Sequence, residues 1–398
     1  MNNCKKRIII AYACEDAGSE PGVGFYWTKT LANVYKDDET ILITRKNNNT
    51  DSLNISKTIG IDLNSPFLKI KTILGTRIYY LIWSFLVFIH LLVNYKTYKG
   101  SIVHHITFTP IYYPPIYFIL PFNFIWGPIG GGETYPVSYL KNMKIIDILK
   151  ETIRFFLKYS IYINPLFYFG CKNSSTIICS TSDTAALIPN RYKNKTIIEL
   201  MVFDEDKHND HVSIKKDIVI ANRLINWKMT HLFVEAFYTY NKDYSSDYRL
   251  LIIGDGPYFK YIEKYIDNEK IIHIKRFEKR TDMLSILQNS SLFVSMSLRD
   301  SGAASLLEAI SYGIPFLVTD SCAHKVFLEQ NIGFSFTLEN FNTDKIKIVK
   351  LLKSILENEE ILINERKKII SVYDSYFSED GKAKRIYEKL NRGDKEYE

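Results

Sequence analysis

The stretch RDSGAASLLEAISYGIPFLVTD, residues 299–320, decides the fold of this 398-residue chain. Within it, Asp300 is followed by a cluster of small residues, and a second carboxylate, Glu308, comes eight positions later. The apolar spacing after the small residues predicts a short helix that ends at Gly313, and the run PFLVTD predicts a buried strand. A helix that connects two buried strands is the unit from which parallel sheets are built.

Strand-like and helix-like segments alternate on both sides of this unit. Strands are predicted at residues 7–14, 39–45, 101–108, 122–127, 175–180, 217–224, 249–256, 270–277, 292–296 and 315–320. Strand–helix alternation implies parallel strands with right-handed crossovers, and 398 residues exceed one ordinary core. We therefore expect an α/β protein with two Rossmann-like domains that face each other across a cleft.

The polar stretch DEDKHNDHVSIKK, residues 204–216, is interpreted as the linker between these domains. The first domain is predicted to span residues 1–205 and the second residues 206–377, followed by a charged helix over residues 378–398. The first residues lead directly into a strand and are too short for a secretory signal, so we expect no secretion. Five scattered cysteines without a C-x-x-C pair predict buried, reduced thiols.

The charge of the chain is unevenly distributed. The formal net charge is +7, and residues 63–132 contain no Asp or Glu. This span includes YYLIWSFLVFIHLLV, residues 79–93, which is shorter than the roughly 20 apolar residues of a membrane-spanning helix. Two interpretations remain, a buried core helix or a packed helix with one face against an anionic bilayer. No clustered Arg/Lys stripe indicates a nucleic-acid partner.

Several residues with useful chemistry follow predicted strands, where open parallel sheets bind their ligands. Gly22 and Gly24 flank the predicted start of the first helix, residues 23–35, whose N–H groups would attract a phosphate. Arg223 and Lys228 follow a strand of the second half and would hold a diphosphate. The plain alternatives are turn glycines in the first case and solvated surface charges in the second.

The carboxylates of the opening stretch fit a ligand with two sugars. Gly302 and Ala303 leave room for a ligand at the start of the helix, whose N–H groups favour negative charge. Glu308 suits the vicinal hydroxyls of a ribose, and Asp300 suits the hydroxyls of a second sugar. Phosphate between two sugars describes a nucleotide sugar. For either carboxylate alone, the alternative is an ordinary solvated side chain. The turn that contains Gly254 is as compatible with a plain tight turn as with a contact to the nucleotide.

On these residues the chain resembles the retaining glycosyltransferases of family 4, of the bacterial surface-polysaccharide type, which have the GT-B fold. The Glu-x7-Glu motif of that family is met as Asp300-x7-Glu308. The other matching elements are residues 222–224 with Lys228 for "GRL…KG", GDGP at 254–257, SEPGVG at 19–24, HHITF at 104–108 and WGPIGGGE at 126–133. The chain departs from the pattern at Asp300, where the family has Glu, and at Asn222 and Met229, where it has glycine.

The resemblance implies transfer of a sugar from a nucleotide-sugar donor to a hydroxyl of a lipid-linked or growing surface glycan, such as O-antigen or capsule. Anomeric configuration would be retained, and no metal or cofactor would be required. The implied donor-binding residues are Gly22, Gly24, Arg223, Lys228, Gly254, Asp300, Gly302, Ala303 and Glu308. The implied catalytic residues are Arg223, Lys228, Asp300, Glu308 and His105. The implied acceptor side comprises His104, His105, Gly130, Gly131, Gly132 and Glu133.

The implied location is cytoplasmic and peripheral, at the inner face of the bacterial cell membrane and against its anionic surface. In the family, the last helix returns to the N-terminal domain, which implies the same for residues from about 378. Three alternatives stay open. They are a metal-dependent GT-A transferase using the D-x-D tripeptide 204–206 with His208 and His211, a sugar-nucleotide epimerase, and a non-catalytic membrane-bound partner in a glycan assembly complex.

Overall fold

The computed structural model describes residues 5–16, 18–63, 69–141, 143–202, 215–277 and 279–395. They form two compact units. Unit 1 comprises Met1–Gly132, Arg154–Phe203 and Lys382–Glu398, and unit 2 comprises Glu133–Ile153 and Asp204–Gly381. The segment Glu133–Ile153, which the sequence division assigns to the first domain, is thus counted with unit 2. Most of the expected linker, residues 204–214, lies outside the described residues.

Unit 1 contains a seven-stranded parallel sheet in the order β3-β2-β1-β4-β5-β6-β7. The strands are β1 Lys6–Ala11, β2 Glu39–Thr44, β3 Lys57–Gly60, β4 Ile102–Thr107, β5 Asn123–Ile129, β6 Ser174–Cys179 and β7 Thr196–Ile198. Five of them are predicted from sequence. The edge strands β3 and β7 are not predicted, because they are short and partly exposed and therefore lack a buried apolar run.

Helices cover both faces of this sheet. The helices up to residue 202 are α1 Ser19–Val34, α2 Lys69–Val93, α3 Tyr95–Tyr98, α4 Val137–Leu140, α5 Ile145–Tyr159, α6 Pro165–Asn173 and α7 Ser182–Ala186. Of these, α4 and residues 145–153 of α5 are counted with unit 2. Successive residues of β1 contribute to different cores, Ile8 and Ile10 to one and Ile9 to the other. Because side chains alternate across a strand, these cores lie on opposite faces of the sheet. We call them the α2 face and the α1 face, after the helices that cover them.

Helix α1 begins at Ser19, so the prediction that it begins near Val23 is wrong. The helix starts earlier because Pro21 is tolerated in a first turn, where backbone N–H groups lack intrahelical partners. Gly22 and Gly24 therefore lie inside the helix rather than at its entrance. Gly24 has a packing role, since a Cβ there would come within 2.0 Å of the Ala13 carbonyl oxygen.

Unit 2 contains a six-stranded parallel sheet in the order β10-β9-β8-β11-β12-β13. Its strands are β8 Asp217–Ala221, β9 Arg249–Ile253, β10 Ile271–Ile274, β11 Leu292–Ser295, β12 Phe316–Thr319 and β13 Phe334–Phe336. Its helices are α8 Thr230–Tyr244, α9 Arg280–Gln288, α10 Ala304–Ser311, α11 His324–Leu328, α12 Phe341–Leu356 and α13 Glu359–Val372. Two all-parallel sheets with connecting helices confirm the predicted α/β class and its two Rossmann-like domains.

The segment that precedes α5 is fixed within unit 2 by aromatic side chains. Tyr135 and Tyr139 belong to the hydrophobic core formed by α8, α12 and the sheet. The Tyr139 hydroxyl donates a hydrogen bond to the buried carboxylate of Asp344. Burial and this carboxylate raise the pKa of Tyr139 above its ordinary value, so the phenol stays protonated. These contacts explain why residues 133–153 are counted with unit 2.

The last helix, α14 Glu379–Lys395, contributes Ile386 and Leu390 to the core on the α1 face of unit 1. The buried carboxylate of Glu199 accepts hydrogen bonds from Arg385 at 2.8 Å and Lys389 at 3.2 Å. The buried ammonium of Lys382 donates to the carbonyl oxygen of Leu200 at 2.6 Å. Burial alone would raise the pKa of Glu199, but the three cations hold that pKa below its ordinary value.

Glu199→Gln tests this attachment. The substitution keeps the size of the side chain but leaves three cations without their buried counter-ion, so we expect the free energy of unfolding to fall by about 2–3 kcal/mol at neutral pH. Because the native pKa of Glu199 is depressed, this difference should shrink as the pH falls through that pKa. Urea denaturation measures the loss, and amide hydrogen exchange should locate it in α14. Glu388→Gln, at an exposed position of the same helix, is the matched control. An equal loss of stability in Glu388→Gln would contradict the role of Glu199 in attaching α14.

Candidate functional site

The candidate site of unit 2 lies at the carboxyl ends of β8 and β11. These two strands are neighbours at the centre of the sheet, and the strand order reverses direction between them. In open parallel sheets, this switch point is the usual place for a ligand, because the loops that follow the two strands diverge there. The β8 loop carries Arg223 and Lys228, and the β11 loop carries Asp300. The sequence-predicted residues of the second half therefore converge at one sheet edge.

Lys228 and Asp300 form an ion pair that joins the two loops. The Lys228 ammonium donates to Asp300 Oδ2, and each side chain is 16% exposed. The second carboxylate oxygen of Asp300 accepts backbone N–H groups from Gly302 and Ala303, both at 3.1 Å. Asp300 thus binds to a cation and to the two N–H groups that lie just before α10. An anionic ligand at this position would use the same donors.

The electrostatics of this pair keep Asp300 ionised. Burial by itself raises the pKa of a carboxyl group, but the Lys228 ammonium and the N–H of Ala303 hold the pKa of Asp300 well below its usual range. His324 is fully buried nearby and contacts Ser295 Oγ at 3.1 Å and Thr319 Oγ1 at 3.2 Å. Burial lowers the pKa of His324 to about 4, although Asp300 opposes this shift. At neutral pH, the site therefore contains an ionised pair beside an uncharged imidazole.

Left-handed residues start the two helices that face the site. Met229, at the start of α8, has φ 46°, and Ala303, at the start of α10, has φ 51°. Glycine adopts this conformation without the steric cost that other residues pay. Met229 stands where the resembled family has glycine, and its backbone nevertheless keeps the conformation that glycine would favour.

Glu308 and Arg223 occupy different environments in the same unit. Glu308 is half-buried in α10, one turn beyond Ala304, the first residue of that helix. Arg223 is exposed in the loop after β8. The carboxylate of Glu308 is therefore carried by a rigid element, whereas the guanidinium of Arg223 can reorient towards a ligand.

The GDGP turn has a structural explanation. A Cβ at Gly254 would lie 1.9 Å from the Asn222 carbonyl oxygen, and one at Gly256 would lie 2.3 Å from that of Leu224. Both glycines allow the loops after β8 and β9 to pass in close contact. Gly254 thus shapes the β8 loop that carries Arg223.

In unit 1, the residues predicted for the acceptor side lie in two different places. The glycines follow β5 at the edge of the sheet, and the two histidines lie within the buried strand β4. Gly130 follows β5, and its N–H donates to the Thr109 carbonyl oxygen at 3.0 Å. Gly132 N–H donates to Thr184 Oγ1 at 3.1 Å, and a Cβ on Gly132 would collide with the Thr184 backbone. Gly131 has φ 98°, which glycine favours. Glu133 is buried and is counted with unit 2.

His104 and His105 lie within β4 rather than at its end. Both are buried, with His104 Nε2 2.8 Å from the Gly127 carbonyl oxygen and His105 Nδ1 2.7 Å from the Tyr117 hydroxyl. Burial lowers the pKa of each imidazole to about 3, so both are neutral at physiological pH. The structure therefore places these histidines in the two cores of unit 1 and does not bring them to the carboxyl edge.

Sequence reasoning misses two residues near these sites. Glu20 Oε1 accepts the Thr109 N–H at 3.3 Å, beside Gly130, and burial raises the pKa of this carboxyl group. Its position in SEPGVG is the signal that would have found it. His324 is separated from Asp300 in sequence by α10, β12 and a turn, and its place near the ion pair is a consequence of tertiary packing.

The Lys228–Asp300 pair predicts a pH-dependent stability. Lys228→Met leaves a largely buried carboxylate without its cation, and we expect the free energy of unfolding to fall by about 1–3 kcal/mol at pH 7. The difference from the parent should narrow on acidification. The buried Asp300 of the variant, without its cation, stabilises the native state when it binds a proton, whereas the parent gains no such stability because its Asp300 has a low pKa and stays ionised. Denaturant titrations between pH 4 and 7 measure it. Arg223→Met, an exposed cation of the same loop, should change stability little, and a pH-independent loss in Lys228→Met would contradict this account.

Comparisons with known proteins agree with this geometry. Residues 203–371 match the family model described as "Glycosyl transferases group 1". Alpha-monoglucosyldiacylglycerol synthase of Acholeplasma laidlawii is 28% identical over 38% of this chain. The match spans only 38% of that relative's own length.

Two solved structures share the fold over nearly the whole chain. WaaG, a glycosyltransferase involved in lipopolysaccharide biosynthesis, has a TM-score of 0.60 and 13% identity over 95% of this chain and 98% of its own. Anabaena HepE, solved in complex with UDP and glucose, has a TM-score of 0.58 and 11% identity over 97% of this chain and 99% of its own. Two parallel sheets leave the GT-A alternative without support, and its tripeptide 204–206 lies outside the described residues. The protein has the GT-B fold, and its residues 203–371 match the glycosyl transferases group 1 family.

Proposed function

We propose that this protein transfers a sugar from a nucleotide-sugar donor to a hydroxyl of a lipid-linked or growing bacterial surface glycan. The observation that carries the proposal is the anion-binding arrangement at the switch point of unit 2. There, the Lys228 ammonium and the N–H groups of Gly302 and Ala303 all donate to the carboxylate of Asp300. The group 1 family match over residues 203–371 supports the same reaction class.

Each part of the donor has a matching group in unit 2. The diphosphate is assigned to Lys228 and Arg223, one fixed cation and one exposed cation on the same loop. Glu308 is assigned to the ribose hydroxyls, because a half-buried carboxylate on a helix accepts two hydrogen bonds in a fixed direction. The donor sugar is assigned to the loop of Asp300, Gly302 and Ala303. The diphosphate would compete with Asp300 for the Lys228 ammonium.

The chemistry proposed for this site is electrostatic. When the bond between sugar and diphosphate breaks, negative charge develops on the leaving oxygen, and the cations with the N–H groups before α10 would stabilise it. Retention of configuration and independence from metals are parts of the proposal, and we assign no covalent nucleophile. His105 has no role in it, because its imidazole is buried and neutral.

The acceptor is proposed to reach the protein from a membrane, as a lipid-linked saccharide. Gly75–Val93 is one helix in the described part of the chain that is long and apolar enough to cross a membrane, with a mean hydropathy of 1.7. Its inner side, including Trp83, belongs to the core of unit 1. Its outer side exposes Ile78, Leu81, Phe85, Ile89 and Leu92, which we call the α2 stripe. A packed helix with an exposed apolar stripe supports peripheral attachment to a membrane, for which we propose the inner, cytoplasmic face.

Ligand-induced thermal stabilisation tests the donor site. We expect one series among UDP-, GDP-, dTDP- and CMP-sugars to raise Tm by a few degrees, since a ligand at 100 times its Kd adds about 2.7 kcal/mol. Glu308→Ala should abolish the shift for that series, whereas Glu263→Ala, an exposed carboxylate of the same unit, should retain it. Slow hydrolysis of the stabilising donor in the presence of EDTA would identify the sugar and test metal independence.

The other outcomes separate the remaining functions. A folded protein that no nucleotide stabilises would contradict the proposal and favour a non-catalytic partner in glycan assembly. Interconversion of one nucleotide sugar into another without an acceptor would instead identify an epimerase. Hydrolysis that EDTA abolishes would contradict the metal-independent mechanism.

Asp300→Asn tests the competition for Lys228. Removal of the carboxylate charge should strengthen binding of the free nucleoside diphosphate, by about tenfold if roughly 1.4 kcal/mol of repulsion is relieved. Calorimetric titration of Asp300→Asn and the parent with the diphosphate measures this change. Weaker binding by Asp300→Asn would contradict the assignment of Lys228 to the diphosphate.

A further inference from the structure

The helices on the α2 face of unit 1 form one layer that is apolar on both sides. Their inner side chains all enter the same core, with Trp83 from α2, Tyr117 and Phe118 from residues 116–119, Ile161 from the turn Ser160–Ile163 and Phe167 from α6. Leu157 of α5 packs against that core as well. Residues 154–159 of α5 are counted with unit 1, whereas residues 145–153 of this helix are counted with unit 2.

Helix α5 has an exposed apolar stripe of its own, separate from the α2 stripe. Helix α5 exposes Ile146, Leu149, Ile153 and Phe156, which recur at intervals of three and four residues and therefore lie along one side of the helix. We call these residues the α5 stripe. Phe156 is 68% exposed, and Ile163, in the turn that follows α5, is 85% exposed. Soluble monomers seldom expose an apolar surface of this extent without a partner.

Aromatic rings continue the stripe towards α6. Phe155 and Tyr159 are in contact, with ring centroids 4.7 Å apart, and both rings are exposed. Tyr162 is exposed as well, and its backbone carbonyl accepts a hydrogen bond from the Tyr168 hydroxyl of α6 at 3.1 Å. Tyrosine, with an apolar ring and a polar hydroxyl, is the residue type that membrane interfaces favour.

The charge of the layer identifies the kind of surface that it fits. Residues 63–132 and residues 152–182, which supply most of the layer, contain no Asp or Glu. The two carboxylates of α5 are engaged within unit 2, Asp147 with the Tyr258 hydroxyl at 3.0 Å and Glu151 with Arg299 at 2.5 Å. The exposed charges of the layer and its edges are cationic, at Arg77, Lys96, Lys99, Lys150 and Lys172. An apolar surface with cations and without carboxylates complements an anionic lipid headgroup layer.

We propose that the α5 stripe and the turn Ser160–Ile163 insert into the headgroup region of an anionic bilayer, with α5 in the plane of the membrane. This site is proposed in addition to the membrane attachment of the α2 stripe. It rests on the proposed function in one respect only, namely that the membrane would supply the lipid-linked acceptor. A second copy of the chain fits the surface less well, because two acid-free cationic surfaces would meet without carboxylates to pair their charges.

Sedimentation with lipid vesicles tests the proposal on the full chain. The parent should bind vesicles that contain phosphatidylglycerol and bind pure phosphatidylcholine vesicles weakly. The double variant Phe156→Ser, Ile163→Ser should lose about tenfold or more of its binding to the anionic vesicles. Ile346→Ser, which removes an exposed apolar side chain from α12 of unit 2, is the matched control and should bind like the parent.

A spectroscopic readout reports insertion directly. Phe156→Trp should show a blue-shifted emission with anionic vesicles and quenching by brominated acyl chains, and Ile346→Trp should show neither. Parent-like vesicle binding by the double variant, or an unquenched Trp at position 156, would overturn the proposal. So would a dimer that dissociates in the double variant while vesicles remain unbound, because the surface would then be a contact between copies.

The same variants separate this proposal from the proposed function. Donor-induced stabilisation, measured without vesicles, should be equal in the parent and in the double variant. Retained donor binding with parent-like vesicle binding would overturn the α5 site alone. Vesicle binding that depends on Phe156 and Ile163, without any nucleotide effect, would support the membrane site and contradict the transferase.

Discussion

The ion pair between Lys228 and Asp300 is the constraint on which the site of unit 2 depends. A largely buried carboxylate is stable only when hydrogen bonds and an opposite charge compensate its lost hydration. Asp300 obtains both, from the Lys228 ammonium and from two N–H groups of its own loop. The pair therefore fixes the loop after β8 against the loop after β11. It also defines the position of the helix that carries Glu308.

This arrangement gives a physical meaning to the departure of Asp300 from the glutamate of the resembled family. The short side chain of aspartate turns back onto the N–H groups of residues two and three positions later, as Asp commonly does before a helix. A glutamate has one more methylene and would reach farther from its own backbone. The site thus contains an internal anion in contact with the donors that a phosphate would use. In the proposed function, binding of the diphosphate would therefore exchange one anion for another.

Much of the fold could be predicted from sequence, because buried parallel strands are continuous apolar runs that stand out from their surroundings. The convergence of Arg223, Lys228 and Asp300 also followed from their positions after strands. Edge strands β3 and β7 could not be found, since partial exposure removes the apolar signal. The histidines of β4 look like site residues in sequence, but whether an imidazole points into a core depends on tertiary packing. For the same reason, sequence alone could not assign residues 133–153 to unit 2 or show which apolar residues of α5 would remain exposed.

The place of α14 has a consequence for how the chain folds as it leaves the ribosome. Ile386 and Leu390 complete a core that also contains Ile9 and Trp27, from the beginning of the chain. The nascent protein must therefore complete all of unit 2 before unit 1 can bury the last part of that core. Until then, the α1 face of the first sheet lacks its final apolar cover, and Glu199 lacks the cations of α14. The unit whose first strands are synthesised earliest is thus finished only after unit 2, because its core needs α14, which follows unit 2 in the sequence.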